Sequence, residues 1–285
     1  MSRYQLASIT YRGPNRDDAN TDVALVAGLV GGNGKTGPTV DLLVVPWIAI
    51  EAIRAVQPGE HATAYTKAYV AALNETIRDV CGGCPLHTET ARQLGIALCY
   101  AQKNFQNAMQ PTSLSRATTG DGPTRGVFDA EAWGQTLVAA GLLGVTKVRS
   151  AVAGDLGMLP ERIALELLDA TPEHWDWLAY THQWHRSPWL QETHMASTQG
   201  TEKAMHAAER RGWRAFHVVP TLAAPPAGAT LCPAQAGKAT GDPVSCAGCP
   251  VPCDGTRSAL GSTYTIDHGP GAQWRRNPAI QALIG

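Results

Sequence analysis

The run TKVRSAVAGD, residues 146–155, reads as a buried strand that stops on a glycine and an acid. Its Val-rich alternation next to Gly fits a short half-buried strand. Pro160 then suits a helix start over 160–168, because its fixed φ is already helical. The pattern repeats downstream: WLAYT (177–181) and HMAS (194–197) are strand-like, Glu202 to Arg211 has helical spacing with Gly212 as its C-cap, and AFHVV (215–219) is a strand again. Strands and helices alternating at this spacing predict βα units around a parallel sheet. Eight units cannot be counted, so the expected fold is α/β, a partial βα barrel or an open parallel sheet.

Upstream, Val23 to Val30 and Asp41 to Val45 read as strands, while Ala62 to Asp79 and Ala130 to Leu143 have helical spacing. Downstream, Pro220 to Thr230 contains AAPPAG (223–228) and reads as a linker. The expected division is an α/β domain over 1–222 and a cysteine-rich metal-binding module with its tail over 223–285.

At 285 residues, with 44% hydrophobic and 16% charged, the chain can bury a sizeable core and is globular rather than disordered. A formal net charge of -1 disfavours binding carried mainly by phosphates, although Arg210, Arg211, Arg214, Arg257, Arg275 and Arg276 leave room for a local basic patch. Residues 1–12 lack the basic start and apolar run of a signal peptide. The longest apolar stretch, Val40 to Ile53, contains Pro46 and Glu51 and is too short to span a bilayer. A soluble, cytoplasmic protein is expected, with no membrane partner and an oligomeric state left open. Structural disulfides are rare there, so seven cysteines, odd in number and clustered in spacing, argue for metal.

Cys232-x13-Cys246-x2-Cys249-x3-Cys253 is the sharpest signal. A Cys-x2-Cys turn presents two thiolates to one metal, and two more complete a tetrahedral zinc shell. The same four would hold a [4Fe-4S] cluster, one thiolate per iron. Spacing leaves zinc and cluster open. Cys81-x2-Cys84-x14-Cys99 offers three thiolates. His87 would close it as a Cys3His zinc site; without His87, a cubane with one open iron could do chemistry; or Cys99 is simply core.

The ordered set of Cys84-Pro85, Cys99-Tyr100, Ala153-Gly154-Asp155, Tyr180-Thr181-His182, Cys232-Pro233-Ala234, Cys246-x2-Cys249 and His268-Gly269 resembles a family of uncharacterised phage-encoded cysteine-rich proteins, from Gly34 onward. That resemblance implies a phage origin, hence the cytoplasm of an infected host, rather than an activity. More distantly, the arrangement is similar to radical S-adenosylmethionine enzymes. By that similarity Cys81, Cys84 and Cys99 would hold a catalytic cluster, Gly154 and Asp155 would help bind S-adenosylmethionine, and the C-terminal cysteines would hold an auxiliary cluster. The usual Cys-x3-Cys-x2-Cys spacing of that superfamily is not present.

GGNGKT, residues 31–36, lacks the first glycine of a phosphate loop, since Leu29 stands there, and no helix pattern follows. Asp155, at a strand end, is a candidate acid/base or cofactor contact, or else a helix N-cap. His182 is a candidate general base, substrate donor or ligand; the bland alternative is a hydrogen-bonded core histidine. His194, Ser197 and His217 are candidates to extend the same mouth, which Asp155 and His182 would share. Trp175, Trp177, Trp184 and Trp189 offer stacking for a nucleobase, or plain core and rim packing. Two functions are expected from this: a metal- or iron–sulfur-dependent enzyme acting on a small molecule, nucleotide or DNA base, or a non-catalytic zinc protein that recognises nucleic acid or a host protein.

Overall fold

Three long strands made of small and β-branched residues begin the chain: β1 (Tyr4–Pro14), β2 (Asp22–Asn33) and β3 (Gly37–Pro46). In this computed structural model the described residues are 4–33, 36–56, 64, 68, 71–72, 76, 78–82, 122–199, 202–219, 226–233, 235–236, 246, 249, 253–255 and 261–266. β1 and β2 pair antiparallel, with register shifts that come with bulges and curl in the sheet. The chain then runs through helix α1 (Trp47–Arg54), a two-residue strand β4 (Val127–Phe128), helix α2 (Ala130–Gly141), strand β5 (Lys147–Ala153) and helix α3 (Glu161–Asp169). With β6 (Asp176–Leu178) they form an open, mixed six-stranded sheet in the order β4-β1-β2-β3-β5-β6. Residues 40–45 of β3 are all at most 3% exposed, as expected of a strand covered on both faces.

The chain divides into two compact units, and the main boundary falls inside β6, between Asp176 and Trp177. The second unit is built on a five-stranded sheet: β7 (Tyr180–Thr181), β8 (Met195–Gln199), β9 (Ala215–Val219), β10 (Thr230–Leu231) and β11 (Thr263–Ile266), with helix α4 (Glu202–Glu209) between β8 and β9. Its order is β10-β11-β9-β8-β7, and every neighbouring pair is parallel. Gly212 closes α4 at φ 79°, as its C-cap reading requires.

Two expectations change. The parallel sheet expected of the alternating elements is present, but the first sheet is mixed and mostly built from antiparallel β-ribbon. The boundary expected near residue 222 lies near 176 instead. The reason is hydrogen bonding: β10 and β11 come from the stretch read as a separate module, yet β11 pairs with β9 over four residues, Thr263↔Phe216 to Ile266↔Val219. The proline-rich stretch before β10 connects two strands of one sheet.

Parallel neighbours require a crossover over a face of the sheet. The step β8 to β9 moves one way across the order and the step β10 to β11 moves back. By the right-handed rule, α4 and the described residues 253–255 of the connection between β10 and β11 fall on opposite faces. Side-chain alternation agrees. His217, on the α4 face, lies in the field of Glu202, Glu209 and His206. On the other face, Cys253 meets Tyr180, and Asp254 meets Arg214.

Candidate functional site

The cysteine face of the parallel sheet follows from register. Tyr180 pairs with Met195, so His182, two residues on, comes level with Ser197, which pairs with Phe216, which pairs with Thr263. The contacts follow that row. His182 Nε2 lies 3.2 Å from Ser197 Oγ. The rings of Tyr180 and Phe216 pack with centroids 4.7 Å apart. His182, Ser197 and Phe216 are half-buried, so the row is partly open to solvent.

Cys253 is fixed beside β7 by its carbonyl, which accepts from Ala179 N at 2.9 Å. The next glycine explains how the loop comes so near. A Cβ on Gly255 would run into the Gln191 carbonyl, so only glycine lets this backbone lie against the loop before β8. Cys232 follows β10 and bonds through its N–H to the Tyr264 carbonyl, 2.8 Å. The Tyr180 hydroxyl donates to the Cys253 sulfur. Burial pushes the Tyr180 phenol well above 10, and the neighbouring Cys253, Cys246 and Cys232 add to that. Burial likewise pushes the Cys253 thiol up to about 12, opposed by the Tyr180 hydrogen bond and by Arg214.

Arg214 anchors the same face. Its side chain is fully buried, donating to the carbonyls of Gly261 (2.8 Å) and Asp254 (3.1 Å), with the Asp254 carboxylate 4.0 Å away. It ties the C-terminal part of the cysteine crossover, at Asp254 and Gly261, to β9. The opposite face holds His217, with no exposed surface. Its Nδ1 shares a hydrogen bond with Thr198 at 2.8 Å, while its buried Nε2 has no hydrogen-bond partner. Burial lowers the pKa of His217. His194, also fully buried, is pushed down to about 3 by burial; it bonds Thr193 Oγ1 and packs against Trp177.

Of the four cysteines read as one site, Cys232 and Cys246 each lie close enough to Cys253 to act on its charge, and no described cysteine is in a disulfide. They do not form one coordination shell: among the described residues no group of three or more His, Cys, Asp or Glu side chains is placed to hold a metal ion. Cys232 is tied to the β10 edge of the sheet and Cys253 to its β7 edge. As a donor set, four thiols without a disulfide suit zinc or an iron–sulfur cluster. In the three-cysteine motif, Cys81 belongs to the first unit and sits in helical backbone ahead of Gly82, φ 56°. Cys84, Cys99 and His87 lie outside the described residues.

Gly154 and Asp155 belong to the first unit, His182 to the second, so the mouth they were expected to share is not built within either unit. Both have local jobs. A Cβ on Gly154 would run into the Val44 carbonyl, and its φ is 70°, so glycine is needed where β5 turns away against β3. Asp155 is 3% exposed, and its carboxylate accepts from Gly157 N at 2.9 Å, capping the 3-10 turn Leu156–Met158. The capping alternative is what the geometry shows for it. Trp175 and Trp177 are 6% and 8% exposed and belong to the core, whereas Trp184 and Trp189 are half-buried on the rim.

Three features were not read from the sequence: the Tyr180–Cys253 hydrogen bond, the Arg214 anchor, and Asp41. Asp41 sits in the middle of β3, 3% exposed, accepting from Thr39 Oγ1 at 2.7 Å with Arg149 at 4.0 Å. Burial raises its pKa against the pull of Arg149. A charge inside the apolar run Val40 to Val45 was the available signal. The other two join residues far apart in sequence, and no local pattern encodes them.

No protein-family model matches the chain, and neither the curated proteins nor the solved structures contain a match to it. Among the described residues no helix is long and apolar enough to cross a membrane.

Proposed function

We propose that the protein is a thiolate-metal enzyme that acts on a nucleotide or nucleobase. Cys232, Cys246, Cys249 and Cys253 would hold zinc or an iron–sulfur cluster, and the His182–Ser197 pair would face the substrate. The observation that carries this reading is the convergence of Cys232, Cys246 and Cys253 on Tyr180, from a crossover that lies on the same sheet face as that pair. When bound, the metal would contribute folding energy and, as a cluster, electron transfer.

The protein's own groups supply the rest. Tyr180 donates to Cys253, an outer contact that favours the thiolate and orients it. Arg214 fixes the crossover at Asp254 and Gly261. His182 is within hydrogen-bond reach of the Ser197 hydroxyl, so it can take a proton from that group or from a substrate hydroxyl or amine in its place. The C-terminal ends of parallel strands are where open α/β sheets bind ligands, and His182 directly follows β7. The S-adenosylmethionine alternative has no such support, because Gly154 and Asp155 are engaged in packing and capping.

The test is purification without oxygen, followed by a visible spectrum and measurement of iron, zinc and sulfide per chain. A brown protein with iron and sulfide in cluster amounts supports a redox site. A colourless protein with one zinc per chain supports a structural thiolate site. Neither metal at stoichiometric level, with all thiols titratable, would remove the metal from the reading.

A further inference from the structure

We propose that the loop after β7 and the turn after α4 form a binding surface for single-stranded nucleic acid. The structure brings together two basic segments that are distant in sequence. Trp184 is half-buried, with the Arg211 guanidinium over its ring at 5.4 Å and the exposed His185 ring edge-on at 5.6 Å. Arg186, Arg210 and Arg211 are all exposed. Gln191 Nε2 donates to the Gly212 carbonyl at 2.6 Å, clipping the loop to the turn. Arg186 and Ser187 each donate their N–H back to the Gln183 carbonyl, which holds the loop in a tight turn.

Among the described residues of the two segments, three exposed arginines stand against Glu192 and Glu209. Glu209 is engaged by His206 at 2.9 Å and by the Ser262 hydroxyl at 2.6 Å, and Glu192 is the exposed acid of the loop. Cations are favoured at a helix C-terminus, which by itself accounts for Arg210 and Arg211. It does not account for a tryptophan on the other segment left half-open beneath a guanidinium. An aromatic ring beside cations is the combination that binds an unpaired base and its flanking phosphates. A duplex offers neither a free base face nor a reason for the ring. The chain's net charge of -1 makes this local cluster a departure rather than part of a general basic surface.

The proposal deepens the nucleotide reading and rests on it for the ligand class, Trp184 lying two residues from His182 on the same loop. It does not depend on the metal. The experiment is fluorescence anisotropy of a labelled oligothymidine of about 20 nucleotides against the full chain, at about 50 and about 200 mM salt. Metal content is measured on the same preparation. Binding that weakens with salt is expected, with Trp184→Ala costing about fivefold or more in affinity. The double variant Arg186→Gln with Arg210→Gln, checked for an unchanged thermal unfolding midpoint, should flatten the logarithmic salt slope by about 0.7 per arginine. The proposal is overturned if the wild type does not bind at low salt, if both variants bind like the wild type, or if a duplex of equal length binds as well. Oligonucleotide binding by metal-free protein would leave this surface standing while the metal reading fell; a metal-loaded protein that ignores the oligonucleotide would do the reverse.

Discussion

In the mixed sheet Asp155 follows β5 and is sealed in, 3% exposed, with its carboxylate engaged by Gly157 N. In the parallel sheet His182 follows β7 and stays half-open, hydrogen-bonded to Ser197 on the next strand. Both are polar residues at the end of a strand, and nothing in their immediate sequence separates them. The difference lies in what comes next. After Asp155 the chain makes a tight 3-10 turn whose first N–H groups need an acceptor, so the nearest carboxylate supplies it. After His182 it makes a longer loop back to β8 in the same sheet, and the side chain is met by the adjacent strand. A strand-end acid is thus a functional candidate only when the following turn leaves it unemployed.

That contrast can be broken experimentally, and the largest effects should come from the parallel unit. Cys232→Ser and Cys253→Ser in metal-loaded protein should each release the metal and shift thermal unfolding of this unit downward by well over 10 °C, because metal binding is coupled to folding. Scanning calorimetry with metal analysis would read both, and retention of metal in Cys253→Ser would remove that residue from the ligand set. Arg214→Ala should cost about 3 kcal/mol or more in urea unfolding, since it strands the Gly261 and Asp254 carbonyls and the buried Asp254 carboxylate. A loss below about 1 kcal/mol would mean that the crossover is held elsewhere.

Gly154→Ala tests the mixed sheet and should cost about 2–4 kcal/mol, combining a left-handed backbone with a collision at the Val44 carbonyl. Acid titration separates the units further. The pKa of His194 is lowered by burial from 6.5 to about 3, so the unfolded chain binds the proton and the folded chain refuses it. Its contribution is fully present above pH 6.5 and is lost as pH falls from there toward 3, at a slope of up to about 1.4 kcal/mol per pH unit. His217 is lowered in the same direction and adds to the loss. Urea midpoints measured from pH 8 to pH 5 should fall, and His194→Gln should flatten that profile. The smallest effect expected is Asp155→Asn, about 1 kcal/mol or less as a weakened cap, with oligonucleotide binding unchanged. A large loss of binding with intact stability would restore Asp155 as a functional acid.

Much of the fold was legible. The helices over 130–141, 161–169 and 202–209 and the strands over 147–153, 195–199 and 215–219 fall where periodicity and end signals place them. β10 and β11 were not, because a two-residue strand and a four-residue one beside cysteines carry too little pattern to stand out from a metal loop. The long β1 was also missed; its run YQLASITYRGP holds an arginine and several polar residues, and the burial that makes it a strand comes from β2. In the site, Cys232, Cys246, Cys249, Cys253, His182 and Ser197 were all legible as chemistry, and Trp184 as a stacking candidate. Their partners were not, since Tyr180 with Cys253 and Trp184 with Arg211 meet only through contacts between segments far apart in the chain.

The sequence by itself determined the alternation of strands and helices, the thiol-rich character of the C-terminal segment, and the helix-closing Gly212, because these depend on local sterics and short-range periodicity. Tertiary structure alone decided that β10 and β11, which flank the cysteine segment, belong to the parallel sheet. It also decided that Asp155 is a cap and that His182 meets Ser197. Those outcomes depend on strand order and register, which are set by the summed burial of whole faces, and no single stretch of the chain contains that sum.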